Sequence, residues 1–174
     1  MWLLSWRIRN RAIYFLGESM KRMLFSRSLW VAILIAFFAL GAAHASDQGS
    51  AAEAEAMVKK GVAYLKANGH EKSAEEFTTG KTFKDRDLYV VYTRFNGDVL
   101  AHGGNPKLVG KNLTGMKDSE GNPFFQMLLD LAKTKGKGWS ETYRFMNPAT
   151  QKIEAKVMYL ESVGDTFIGA GIYK

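Results

Sequence analysis

The 174-residue chain is 47% hydrophobic and 13% aromatic, enough for one domain with a real core, and its lack of cysteine excludes disulfides, thiolate metal sites and cysteine nucleophiles. Its formal charge of +7 sits mostly at the N-terminus: residues 1–45 hold six of the 24 basic and one of the 17 acidic residues, leaving 18 against 16. The rest of the chain lacks the basic stripe of a nucleic-acid binder, and no nucleic-acid partner is expected.

In chain order, residues 1–19 read as an upstream extension, with Met20 as the start of a signal of ordinary length. Lys21, Arg22 and Arg27, the apolar run Leu29 to Leu40 and then Ala43-His44-Ala45 form a secretory signal over 20–45, with cleavage expected after Ala45. The apolar run is shorter than the roughly 20 residues a spanning helix needs. The expected location is therefore the periplasm; the alternative is an uncleaved signal anchored in the inner membrane. Residues 46–174 form the expected domain. Met57, Val58, Val62 and Leu65 recur at helical spacing up to a stop at Asn68-Gly69. A short helix over 71–77 follows.

From Asp87 the period becomes two. "DLYVVYTRF" reads as a strand, Asn96-Gly97-Asp98 as a hairpin turn and "VLAHG" as the returning strand. Past the loop "GGNPKLVGKN", Phe124, Leu128, Leu131 and Ala132 mark a crossing helix that ends at Gly136. "GWSETYRFMNP", in which Trp139, Glu141, Tyr143 and Phe145 alternate with smaller or polar neighbours, "KIEAKVMYLESV" and "DTFIGAGIYK" complete five strands. This order predicts an α+β domain: a PAS-like antiparallel five-stranded sheet with a long N-terminal helix and a crossing helix.

No catalytic set is visible, and an enzyme is not expected. After cleavage only His70 and His102 remain, and no Gly-x-Ser-x-Gly motif occurs. Asp85 and Asp87 read as a strand-entry turn rather than an acid pair. "DSEGN" lacks the carboxylate of a calcium loop at its twelfth position, which is Leu129, and a lone His102 cannot build a transition-metal site. No metal or cofactor is expected. What remains is a small-molecule pocket with aromatic walls and a few polar groups. Tyr92, Trp139, Tyr143, Tyr159 and Tyr173 come from strands; His102, Asn105 and Lys111 come from loops. Lys156 is unusual inside an apolar strand, where period two places it with Met158 and Leu160. It either meets an anion such as a carboxylate or snorkels to solvent. Gly169 and Gly171 weaken a strand unless something approaches closely. His102 and Asn105 either contact a ligand or only satisfy backbone groups of their loop.

The ordered set "AEAMVKKGVAYLKANG", "RDLYVVY", "GDVLAHGGNPKLVGKNL", "DSEGNPF", "GWSETYRFMNP", "KIEAKVMY" and "IGAGIYK" resembles the single Cache domain, type 2. That family consists of extracytoplasmic sensor modules of bacterial chemoreceptors and sensor kinases. The resemblance implies a pocket, in the family often for small organic acids, between sheet and loops. By motif, His102, Gly104, Asn105 and Lys111 fall in the His-Gly-x-Asn-Pro…Gly-Lys loop. Trp139 and Tyr143 fall in the Gly-Trp strand, and Lys156 and Tyr159 in the Lys-x-x-Tyr strand. The candidate ligand-binding residues are thus Tyr92, His102, Asn105, Lys111, Trp139, Tyr143, Lys156 and Tyr159. Receptor members continue into a second membrane helix and a cytoplasmic output, whereas here the sequence stops after the last strand. The expectation is a free-standing secreted sensor that signals through a membrane receptor or sensor kinase. The alternative is a homodimeric interaction protein that docks on such a receptor through its N-terminal helix.

Overall fold

The computed structural model describes residues 47–174; the expected extension, signal and cleavage point lie outside them. Helix α1 (Ala51–Asn68) begins at a capping box, where Ser50 Oγ accepts from the Glu53 amide and the Glu53 carboxylate accepts from the Ser50 amide. It ends at Gly69, whose φ of 77° suits glycine and whose N–H bonds the Leu65 carbonyl. Ala54, Val58, Gly61 and Leu65 form its buried stripe, and Met57 and Val62 lie half-buried beside it.

Helix α2 (His70–Thr79) inserts Phe77 into an aromatic cluster. Its ring lies edge-on to Phe83 at 4.7 Å and to Tyr92 at 5.9 Å. Phe77→Ala is expected to cost about 3–5 kcal/mol in chemical denaturation. A loss below about 1 kcal/mol would show that the cluster collapses around the gap.

Strands β1 (Lys84–Asp85), β2 (Leu88–Arg94) and β3 (Val99–His102) precede the crossing helix α3 (Phe124–Lys135). Strands β4 (Lys137–Trp139), β5 (Tyr143–Met146), β6 (Ile153–Val163) and β7 (Thr166–Tyr173) follow it. The antiparallel sheet runs β1-β2-β7-β6-β4, with β3 on β2 and β5 on β6. The first and last predicted strands thus meet at its centre. The two-residue β1 was not predicted.

The central strands are buried on both faces. On one face Leu88, Val90, Tyr92, Tyr159, Ile168 and Ala170 pack under α1 and α2. On the other, Tyr89, Val91, Met158, Leu160, Phe167 and Tyr173 pack with α3.

The strand predicted from "GWSETYRFMNP" is two. Ser140 Oγ accepts from the Met158 amide at 2.9 Å while Ser140 N donates to the Met158 carbonyl at 2.8 Å, so a side chain interrupts the ladder. Trp139 pairs with Tyr159, but Tyr143 pairs with Lys156, a register shift of one residue. Such a shift flips side chains to the other face. Trp139 therefore faces α1 and Tyr143 faces α3, against the uniform alternation expected across this segment.

Candidate functional site

Three strands set the site by register. Tyr143 of β5, Lys156 of β6 and Tyr173 of β7 are direct cross-strand partners, so their side chains share the α3 face. Lys156 is 1% exposed, which excludes snorkelling. Its Nζ donates to Tyr89 Oη at 2.7 Å and to Tyr173 Oη at 3.0 Å, lying 4.0 Å from the Tyr89 ring centroid. Tyr173 Oη in turn donates to the Met146 carbonyl at 2.8 Å. An ammonium carries three hydrogens, so one remains for a guest. Among the described residues no carboxylate lies within ion-pair distance of Lys156. Burial holds the amine well below the usual lysine range, with the Asp87 charge acting in the opposite direction.

The stem of Lys156 reaches Tyr89 by crossing Gly171. A Cβ at 171 would lie 2.3 Å from Lys156 Cε. A Cβ at 169 would lie 2.6 Å from Met158 Sδ. The close approach that the two strand glycines required is thus made by these two side chains.

His102, at the end of β3 opposite Val91, forms the next wall. Its Nδ1 accepts from the Asn105 amide at 2.9 Å, which assigns the ring hydrogen to Nε2. Burial, then the Lys156 charge, push its pKa down to about 3, so the ring is neutral and Nε2–H is a donor at physiological pH. Gly104 lets the loop close on Tyr89, since a Cβ there would sit 2.7 Å from the ring.

Lys156, His102 and Tyr143, with Tyr89, Phe124 and Phe145, enclose a chamber of about 20 Å³, room for one water molecule. Outside it lies an open cleft of about 490 Å³, bordered by Asn105, Lys107, Arg144 and Met146, within the usual range of ligand sites. Tyr89, His102, Phe124 and Phe145 line both spaces and form the partition between them. Phe145 stacks on His102 with ring centroids 6.1 Å apart.

Of the eight candidates, the structure brings together His102, Tyr143 and Lys156, with Asn105 on the cleft rim. The Asn105 side chain is occupied in its loop, its Oδ1 accepting from the Lys107 amide at 3.2 Å. Four do not join them. Lys111 is exposed, and its backbone bonds Val99 and Leu108. Tyr92 and Tyr159 stand three residues from Tyr89 and Lys156, an odd step that places them on the helix face. There Tyr92 Oη meets His70 Nδ1, and Tyr159 Oη bonds Glu161 at 2.9 Å. Trp139 follows Tyr159 to that face and donates to Glu55 of α1 at 3.0 Å.

Tyr89, Phe124 and Phe145 were not singled out as site residues, and Tyr173 was noted only as a strand aromatic. A two-residue turn at Gly164-Asp165 pairs Val163 with Thr166, and counting back from it reaches the Lys156–Tyr173 pair. That signal was present in the sequence.

"DSEGN" is a turn tied to β5. Asp118 Oδ1 accepts from the Glu120 and Asn122 amides, and Oδ2 accepts from Asn122 Nδ2 and the Arg144 amide.

The family model described as Single Cache domain 2 matches residues 43–174. No curated protein matches the sequence. A methyl-accepting chemotaxis protein from Vibrio parahaemolyticus superposes with a TM-score of 0.58 at 25% identity, over 70% of this chain and 86% of its own. The periplasmic sensor domain of a chemotaxis protein gives 0.56 at 19%, over 68% and 86%. A structure titled for carboxylic acid recognition by a Cache chemosensory domain gives 0.55 at 20%, over 68% and 84%.

Proposed function

The chain belongs to the single Cache domain 2 family of ligand-sensing modules, and from that premise we propose that it binds a small organic acid outside the cytoplasm and passes its occupancy to a signalling partner. The observation that carries this reading is the buried Lys156 amine, held by two tyrosine hydroxyls and able, as an ammonium, to donate once more to an anionic guest. An unpaired buried cation is costly, and a carboxylate relieves that cost while accepting from both Lys156 and His102 Nε2.

The acid enters from the cleft. Because the chamber has room for only one water, admitting the acid requires the aromatic partition between chamber and cleft to part. The aromatic walls then exclude water and strengthen the charge contact. That a structural neighbour is described as recognising carboxylic acids supports this choice of ligand. The partner is a membrane receptor or a sensor kinase.

A thermal-shift screen of the purified protein against short mono- and dicarboxylic acids tests the reading. At least one acid is expected to raise the melting temperature, and His102→Ala is expected to lose most of that rise. Stabilisation by amines or neutral solutes, with none by any acid, would overturn it.

A further inference from the structure

Among the described residues, only two buried side chains belong to formally charged residue types: Lys156 and Asp87, each 1% exposed. They are opposite in sign. Asp87 closes the tight turn between β1 and β2, two residues before Tyr89, whose hydroxyl accepts from Lys156. Its Oδ1 accepts from the Gly49 amide at 2.6 Å, while its buried Oδ2 has no hydrogen-bond partner. A carboxylate needed only to hold Gly49 would not require burying a second oxygen unsatisfied, because an amide or hydroxyl accepts that one bond equally well.

We infer that Asp87 is the remote counter-charge of the chamber, a positioning residue that holds Lys156 in its ammonium form and so sets the pH range over which the site captures an acid. The last clause rests on the organic-acid reading; the first does not. The Asp87 field acts on Lys156 and also on the Tyr89 and Tyr173 hydroxyls.

The other titratable groups facing Lys156 do not replace it. Tyr89 from β2, Tyr143 from β5 and Tyr173 from β7 are held neutral by burial, and His102 from β3 is neutral. Helix α3 presents Phe124, Phe125 and Leu128 to the chamber. Beside Asp87, Arg86 is bonded to Asp85 and Glu53, and Asp47 lines, together with Asp87 and Asn147, a separate surface pocket away from the chamber.

Lys156 is an ammonium below its titration midpoint and loses acid affinity as pH rises through it. Asp87 raises that midpoint, so removing its charge moves the loss to lower pH.

The test is the ligand-free titration of the Lys156 Cε resonance by NMR, assigned by its disappearance in Lys156→Met. Asp87→Asn keeps an acceptor for Gly49 and removes the charge. Its Lys156 midpoint is expected to fall by about one pH unit. If Asp87→Asn does not fold, Asp87→Ser offers a hydroxyl acceptor and the same readout. Coincident midpoints overturn the inference.

With acetate as the probe, affinity is expected to fall about tenfold further in Asp87→Asn than in the wild type between a pH below both measured Lys156 midpoints and a pH above them. An equal fall in both proteins assigns Asp87 a merely structural role. If wild-type protein takes no acetate at either pH, the acid reading fails for this ligand, and the NMR midpoints still decide the role of Asp87.

Discussion

Replacing Lys156 by methionine is expected to abolish acid-induced stabilisation while leaving the domain folded. A charge-assisted contact contributes about 1.5–3 kcal/mol, so its loss weakens binding roughly ten- to a hundredfold. An acid at a hundred times its Kd stabilises by about 2.7 kcal/mol, and a hundredfold weaker Kd leaves about 0.4 kcal/mol. The fold survives because methionine fills the same channel over Gly171. The hydroxyls of Tyr89 and Tyr173, 3.0 Å apart, remain bonded to each other, and Tyr173 to the Met146 carbonyl. Calorimetry with the best acid from the screen checks this. An unchanged thermal shift in a folded Lys156→Met protein would remove the lysine from the site.

Gly171→Ala is expected to mimic that loss without touching any charge. Gly171 has an ordinary strand conformation, so the backbone accepts alanine. The new Cβ, however, lands 2.3 Å from Lys156 Cε and 2.9 Å from the Val157 carbonyl oxygen. The lysine stem gives way, and the contact with the carbonyl, which belongs to the sheet, adds strain in the β6–β7 pairing that lowers stability as well. The lysine amine then loses one or both tyrosine partners, and acid affinity falls by about tenfold or more. Gly169→Ala is the control. There the Cβ meets Met158 Sδ at 2.6 Å, displacing an apolar side chain and not the amine, so the loss is much smaller. Binding of acid by Gly171→Ala at wild-type affinity would show that the position of Lys156 over the glycine is immaterial.

The fold was legible because its signals are local. Asn68-Gly69 and Gly136 stop helices where the periodicity ends, and Asn96-Gly97 turns a hairpin. Within β6, period two placed Lys156 with Met158 and Leu160 and away from Tyr159, as the structure has it.

The site was legible only in part, because it depends on how distant strands meet. Tyr89 and Tyr92 sit in "LYVVY", where both faces are buried and no polar residue marks which face holds the lysine. The pairing of β2 with β7 decides that, and no turn between them sets it. Trp139 and Tyr143 read as one alternating run, and Ser140, the residue that breaks it, acts through a side-chain bond to a strand eighteen positions away. Asp87 read as an ordinary turn residue; its burial comes from Gly49 and the segment before α1 folding over it.

The two-sided burial of the central strands has a mechanical consequence. One backbone carries Lys156 and Met158 toward the chamber, with Val157 and Tyr159 facing the opposite way. Its neighbour carries Tyr173 toward the chamber and Ile168 toward α1, where Gly61 brings the helix so near that a Cβ would stand 3.2 Å from Ile168 Cγ2. Close-packed layers have no slack to absorb a displacement. A displacement of these strands from the chamber side is therefore expected to reach α1, one layer away on the opposite face of the sheet.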